Sequence, residues 1–527
     1  MSKTKNAVTP SQELAGGIAV PRMLQISALF VLFLASIPLG YLLLRATASG
    51  FAAASAVLLR EKTVSTLITT AGLAILVALF SAIIGISSAW LIQRTNLPLP
   101  GLFLVLGTLA LAVPSYVSTY AWIALIPSFA GFAAAVFILS LTTAPYVLLA
   151  ALALLRRIDA TQEESARALG LTASQVARRV IWPQSRPTIF ASLLLVMLYV
   201  LSDFGAVSLL RVDTFTRVVH TMYKATFDRS AAAVVALILV LLAAILIYAE
   251  YKARGSAVAA KSGLGSIRTT NRIDLGFKKY LAASYLLIIA IASLGVPIYV
   301  LITRFVSVAA EINVSNLVSA TIATVSAALS GASLAMLFAI PLGILAARYS
   351  GRLSSYAEFG ILLTHALPAV VIGLALVALG SRLGFLYQSL PLLAFSYAVL
   401  FLAKAVGLIR TSIARVPRVY DDISRSLGNN NWQTIRKITI PIAAPGVITG
   451  FLLVLLTAMK ELPATLMLRP TGFDTLAIEI WTQTSISQYG QAAPYALILV
   501  LLAAIPTYLL SRPDRAQSSE SRENMTL

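Results

Sequence analysis

Asp203 and Glu461 are carboxylates set in otherwise apolar segments, LLLVMLYVLSDFGAVSLLR at 193–211 and FLLVLLTAMKELPATLMLR at 451–469, which align at an offset of 258 residues. An ionised acid near a bilayer centre costs about 2.5 to 3.5 kcal/mol on insertion scales, so a repeated one suggests use: a path or an outer gate for a cation. The plainer reading is a helix-end acid, solvated at the outer surface or bonded to nearby Ser202 or Lys460. Acid oxygens suit a hard cation in kind, yet two of them cannot complete a coordination shell. His220 and His365 each stand alone and are expected to be structural, and metal ligands stay unassigned. Cysteine is absent, which excludes disulfides and thiolate metal sites. No nucleophile, metal cluster or pair of catalytic acids gathers at one place, which argues against a membrane enzyme.

A second repeated pattern is mechanical rather than chemical. Residues 164–187 (ESARALGLTASQVARRVIWPQSRP) and 422–445 (DISRSLGNNNWQTIRKITIPIAAP) share one offset, with Gly428 against Gly170, Pro441 against Pro183 and Asp422 against Glu164. Thr161 and Glu164 have capping-box spacing, so a short helix should begin there and end near Gly170 in a left-handed corner. Thr172 with Gln175, and Asn430 with Gln433, then start a second short helix that Pro183 or Pro441 should stop. Val419 replaces Thr161 in the second copy, so its first cap is lost and the two copies should grip unequally. Each acid could also simply pair with the arginine three residues on, Arg167 or Arg425, for about 0.2 to 0.5 kcal/mol.

These loops must be positioned by a membrane domain. The 527 residues are 59% hydrophobic and only 11% charged, with a mean hydropathy of +0.88, a composition of multi-span membrane proteins. Apolar runs near the length that a bilayer needs fall at 26–44, 67–92, 102–126, 132–155, 188–210 and 231–251, then at 280–302, 317–347, 356–379, 390–409, 447–468 and 492–510. That is an all-α integral membrane fold of about twelve helices. The repeat extends beyond the loops: ALILVLLAAI occurs at 236–245 and 496–505, and Thr70, Arg94 and Pro114 align with Thr324, Arg348 and Pro368. Six spans separate equivalent points, so the halves are parallel repeats with a pathway expected between them. Pro114 and Pro368 suggest a matched helix kink.

The expected organisation is a tail at 1–24, a first domain at 25–251 containing the loop 156–187, a Gly- and Ser-bearing linker at 252–279, a second domain at 280–510 containing the loop 410–445, and a tail at 511–527. The first helix is expected to be uncleaved. The net charge of +20 is no sign of nucleic acid, because the basic residues concentrate in alternate loops. By the positive-inside rule this places both repeated loops, the linker and both termini in the cytoplasm.

The loops resemble the signature of the membrane subunits of ATP-binding-cassette importers: Glu-Ala-Ala, three residues, Gly, and a hydrophobic-Pro pair whose proline lies thirteen residues on. Glu164, Ala166, Gly170 and Pro183 match it, as do Gly428 and Pro441; Ser165, Asp422, Ile423 and Ser424 depart from it without changing the spacing. The resemblance implies a type I importer fold of two fused permease domains. It also implies two copies of a separate cytoplasmic ATP-binding subunit, each grooved for one short helix, and an extracytoplasmic solute-binding protein, in a bacterial cytoplasmic membrane. ATP and magnesium would be held by that partner and no cofactor by this chain, which contains no Gly-x-x-x-x-Gly-Lys-Ser/Thr loop. SDFGAVSLL and KELPATLMLRPTGFDTLAIEIW are similar to fused ferric-iron permeases, which implies ferric iron as the solute. Thiamine permeases are also fused doublets, and thiamine or another small solute is the alternative. A proton-driven secondary transporter fits the spans but not the docking loops.

Overall fold

A computed structural model of the chain describes residues 20–511 except 49, 157, 159, 226–228 and 260–271. The expected tails and the centre of the expected linker therefore lie almost wholly outside the described residues. The regular structure among the described residues is all helix, apart from one isolated bridge between Thr95 and Ile273.

Ten helices of each half follow in the same order, and the first half has one more, the short helix Phe51–Leu58 between its first two. The first half runs α1 (Arg22–Thr47), α2 (Glu61–Arg94), α3 (Pro100–Ala112), α4 (Ser115–Leu125), α5 (Phe132–Leu155), α6 (Ala160–Ala168), α7 (Ser174–Ser202), α8 (Gly205–Leu209), α9 (Phe215–Ala225) and α10 (Arg229–Ala259). The second runs α11 (Lys278–Ser307), α12 (Val314–Arg348), α13 (Arg352–His365), α14 (Ala369–Leu383), α15 (Leu390–Ala414), α16 (Arg418–Ser426), α17 (Asn431–Met459), α18 (Pro463–Leu468), α19 (Leu476–Ser485) and α20 (Tyr489–Ser511). Among the described residues nine helices are long and apolar enough to cross a membrane, two bent pairs make further spans, and α20 is a shorter apolar helix. Together they fill the twelve expected places.

The third and ninth spans are not single rods. α3 meets α4 at 95° and α13 meets α14 at 93°, and the prolines expected to kink them, Pro114 and Pro368, stand at the breaks in extended conformation. A proline lacks the N–H that would continue the ladder and drives the residue before it out of the helical region. The fifth and eleventh spans end earlier than the apolar runs suggest: α7 stops at Ser202 and α17 at Met459, so Asp203 and Glu461 lie in breaks rather than inside helices. α10 continues to Ala259, eight residues into the expected linker.

Small residues set the helix spacing. In lipid there is no hydrophobic drive between helices, so close backbone approach supplies the packing. α2 packs on α5 and α12 on α15; a Cβ added to Gly85 would sit 2.7 Å from Val147 Cβ and 2.8 Å from the Leu148 nitrogen. The buried face of α12 is mostly alanine and glycine, including Ala320, Ala327, Ala328, Gly331, Ala332 and Ala335. The halves then exchange their first helices: α1 packs on α12, α13 and α14, while α11 packs on α3, α4 and α5. Hydrogen bonds join them, Tyr120 donating to the Tyr489 carbonyl at 2.5 Å and Arg304 to the Ala124 carbonyl at 2.9 Å. The entry into the second half is clipped to the end of α2, where Asp274 accepts from the Gly276 N–H at 2.9 Å and the Asn96 amide at 2.5 Å. Those two bonds, in that order, lower the Asp274 carboxyl below its usual range.

Overpacking costs about 1 to 3 kcal/mol. Gly85→Leu should therefore lower the melting temperature of the detergent-purified protein, whereas Gly40→Leu, where a Cβ meets nothing within 4 Å, should leave it unchanged.

Candidate coupling surface

Each repeated loop folds as helix, glycine corner, helix. Gly170 and Gly428 have φ of +84° and +85°, and the corner closes with two backbone bonds in each copy. Gly170 and Leu171 donate to Arg167 and Ala166, and Gly428 and Asn429 to Arg425 and Ser424. That is the helix-ending motif in which a left-handed residue satisfies the last carbonyls, and glycine takes it without a Cβ penalty.

The second helix of each corner begins with the expected capping box. Thr172 N–H donates to Gln175 Oε1 at 2.9 Å and Gln175 N–H to Thr172 Oγ1 at 3.4 Å; Asn430 and Gln433 make the same pair at 2.9 and 2.8 Å. The first helix departs from expectation. α6 starts at Ala160, which puts Thr161 inside its first turn, and the preceding residue is outside the described ones. α16 starts at the equivalent Arg418, after Pro417, with no side-chain cap.

Pro183 and Pro441 do not stop the second helix. It runs on into the membrane as α7 or α17, through one wide turn at Ala177–Ile181 or Ile435–Thr439 whose bonds span five residues. Widening the ladder there leaves a place for a residue with no N–H and relieves its clash with the preceding turn. The corner and the span are thus one continuous rod.

The structure also shows which acids anchor the corners. Glu164 is exposed, and Asp422 is exposed and pairs with Arg425 at 2.5 Å, the intrahelical pair foreseen for it. The residues just before them do the anchoring. Glu163 meets Arg94 at 2.8 Å with both side chains at most 7% exposed, and Asp421 meets Arg348 at 3.3 Å. Arg348 also donates to the Val416 carbonyl at 3.0 Å, and Asp421 accepts from Thr439 Oγ1 at 3.0 Å. Burial, and then the Asp421 charge, raises the phenol of neighbouring Tyr349. Arg94 and Arg348 end α2 and α12, so each corner is tied to a membrane helix other than the rod it belongs to. Their repetition in the sequence was the available signal, but nothing local paired them with Glu163 and Asp421.

Ala166 and Ser424 are buried at equivalent positions. The second corner substitutes a hydroxyl pair, Ser424 with Thr434 at 2.9 Å, where the first has Ala166 and Val176. Pro183 and Pro441 are exposed. So are two leucines, Leu169 at 84% and Leu427 at 77%, immediately before the glycines.

Asp203 and Glu461 sit elsewhere and are buried rather than solvated. Neither bonds Ser202 or Lys460 through its carboxylate. Asp203 accepts from Ser115 Oγ at 2.5 Å and from the N–H groups of Ala206 and Val207 at 3.1 and 3.3 Å, which ties the start of α4 to the start of α8. Glu461 accepts from the N–H groups of Ala464 and Thr465, both at 3.0 Å, and from Thr465 Oγ1 at 2.7 Å. Thr465 in turn bonds Tyr397 at 2.5 Å. Both acids therefore complete broken backbone inside the membrane domain, where an unpaired N–H costs several kcal/mol. His220 packs against Phe204, centroids 4.7 Å apart, and His365 ends α13. No group of three metal-ligating side chains occurs among the described residues.

The family model described as "Binding-protein-dependent transport system inner membrane component" matches residues 83–253 and again 339–516. The chain belongs to that family. It carries two such permease domains fused in one polypeptide, each enclosing one corner. The Fe(3+)-transport system permease protein FbpB 2 of Haemophilus influenzae is 33% identical over 90% of this permease and 95% of its own length. The putative 2-aminoethylphosphonate transport system permease protein PhnV of Salmonella typhimurium is 29% identical over 34% of this permease and 69% of its own length. The molybdenum transport system permease protein ModB of Mycobacterium tuberculosis is 30% identical over 36% and 76%.

Removing one partner of a buried ion pair costs about 3 to 5 kcal/mol because the other charge is left unpaired. Arg94→Met and Glu163→Leu should each lower the melting temperature sharply, and the double variant should recover most of the loss in the same thermal scan.

Proposed function

We propose that this permease imports ferric iron, driven by a separate ATPase that grips the two corners. The protein is a membrane transport subunit, and its family works with an ATP-binding partner and a solute-binding protein. The carrying observation is the matched pair of anchored corners, each presenting a large exposed leucine beside a left-handed glycine. A bare apolar side chain repeated on a polar loop fits a partner's groove. In this reading Leu169, Glu164 and Gly170 enter one ATPase subunit, and Leu427, Asp422 and Gly428 enter a second copy. The partners hold ATP and magnesium. Movement of a corner is passed to α7 or α17 along the rod through Pro183 or Pro441, and to α2 or α12 through the ion pair.

In this reading the corners and both termini face the cytoplasm across a bacterial inner membrane, which the concentration of basic residues in alternate loops supports. Solute would arrive on the opposite side from a binding protein. Ferric iron is favoured because the similarity to the iron permease spans nearly the whole chain, whereas the phosphonate and molybdenum permeases align with about a third of it. Those relatives support a second reading, import of a small oxyanion. Asp203 and Glu461 take a positioning role in this account, holding the re-entrant helices α8 and α18 rather than carrying the ion.

Leu169→Ser together with Leu427→Ser should leave the melting temperature unchanged and reduce co-purification of the ATPase at least tenfold. Uptake of labelled ferric iron by cells should fall with it. Undiminished co-purification would remove the corners from the docking role.

A further inference from the structure

Lys404 and Lys460 are the basic residues that neither the loops nor the corners absorb. Lys404 lies about 15 Å, by the helical rise, from the Ala414 end of α15, which is deep in a hydrocarbon core about 30 Å thick. It is accessible in the groove between α15 and α17, and its ammonium donates to Thr457 Oγ1 and to the Leu453 carbonyl at 3.4 Å. One turn beyond Thr457, Lys460 follows the end of α17 and donates across the seam between the halves to the Leu111 carbonyl at 2.9 Å. Its own carbonyl accepts from Tyr116 of the first half at 3.5 Å.

All these acceptors are neutral oxygens. Among the described residues no ion pair reaches either lysine, and the adjacent Glu461 is turned to its own helix start. The two lysines are neighbours along one wall, because the Thr457 that Lys404 bonds stands one turn before Lys460. A pair of uncompensated like charges inside a membrane domain is costly, and the fold does not require it: the equivalent positions of the first half are Tyr146 and Ser202. The cost falls if a negative solute passes between them, because an ammonium is a strong point donor to oxyanions.

We propose that Lys404 and Lys460 form an anion-recognising ladder on one wall of the path between the halves. The transported species is then a multiply charged oxyanion, either free or wrapped round ferric iron as a carboxylate complex. The proposal rests on the ferric reading only for the identity of the cargo; bare ferric ion would meet two positive charges at mid-membrane.

The test uses the full complex, permease with its ATPase and binding protein, in proteoliposomes supplied with either iron-55 ferric citrate or radiolabelled 2-aminoethylphosphonate. Lys404→Gln and Lys460→Gln should each lower ferric citrate uptake at least tenfold, with the ATPase still co-purifying at the wild-type yield. Lys404→Arg should return to within about threefold, which a packing role would not require. Lys404 makes no bond across the seam, so its variant remains informative if Lys460→Gln disturbs assembly. Unchanged iron uptake by both glutamine variants would overturn the ladder and leave ferric import standing. Lysine-dependent phosphonate uptake without iron uptake by the wild type would support the ladder and overturn the ferric cargo.

Discussion

A buried arginine at the end of a membrane helix must find a carboxylate, and in this permease that requirement organises the loop surface twice. Arg94 and Arg348 cannot stay unpaired at their depth, and Glu163 and Asp421 can reach them only if α6 and α16 lie against the ends of α2 and α12. The exposed acid, the exposed leucine and the left-handed glycine are then fixed in direction by helix geometry. The pair is no great source of stability in itself, since desolvation offsets much of the attraction. It confers register: a corner with its acid elsewhere would leave a guanidinium stranded.

The same logic of satisfaction governs the interior. Four breaks interrupt the membrane helices, after α3, α7, α13 and α17, and irregular backbone at that depth persists only where protein groups replace water. Asp203 supplies one set of acceptors and is itself braced by Ser115 from the break at Pro114, so two breaks of the first half hold each other. Glu461 supplies the second with Thr465 and Tyr397. Each set of bonds closes breaks within its own half, and the halves are joined by the reciprocal exchange of α1 and α11 and by the Tyr120 and Arg304 bonds between them. Continuous rods from corner to break link the seam between the halves to the outer surface of the loops.

Much of this was legible because it is local. Apolar length places twelve spans, the alternation of basic loops fits their order, and capping boxes at Thr172 and Asn430 need only neighbours three residues away. Gly170 and Gly428 announce the corner because few other residues accept that backbone. What escaped depends on groups far apart in sequence or on the response of a helix to strain. Glu163 and Glu164 are indistinguishable by type, and only tertiary packing decides that the first is buried and the second presented. Pro183 reads as a stop, yet a single widened turn lets the helix pass it. Asp203 reads as a charge inside a span because the apolar run continues past Ser202, while the helix does not.

The central claim is that each corner moves as one body with the helix end that its ion pair holds. The chain contains no cysteine, so engineered pairs can carry spin labels without background. In the complex with its ATPase, Gln93→Cys with Ser165→Cys reports the distance between α2 and α6, and Ser165→Cys with Ile423→Cys the distance between the two corners. The account predicts that trapping the ATPase with nucleotide changes the second distance and leaves the first within its resting distribution. A first distance that shifts while the second stays fixed would contradict it.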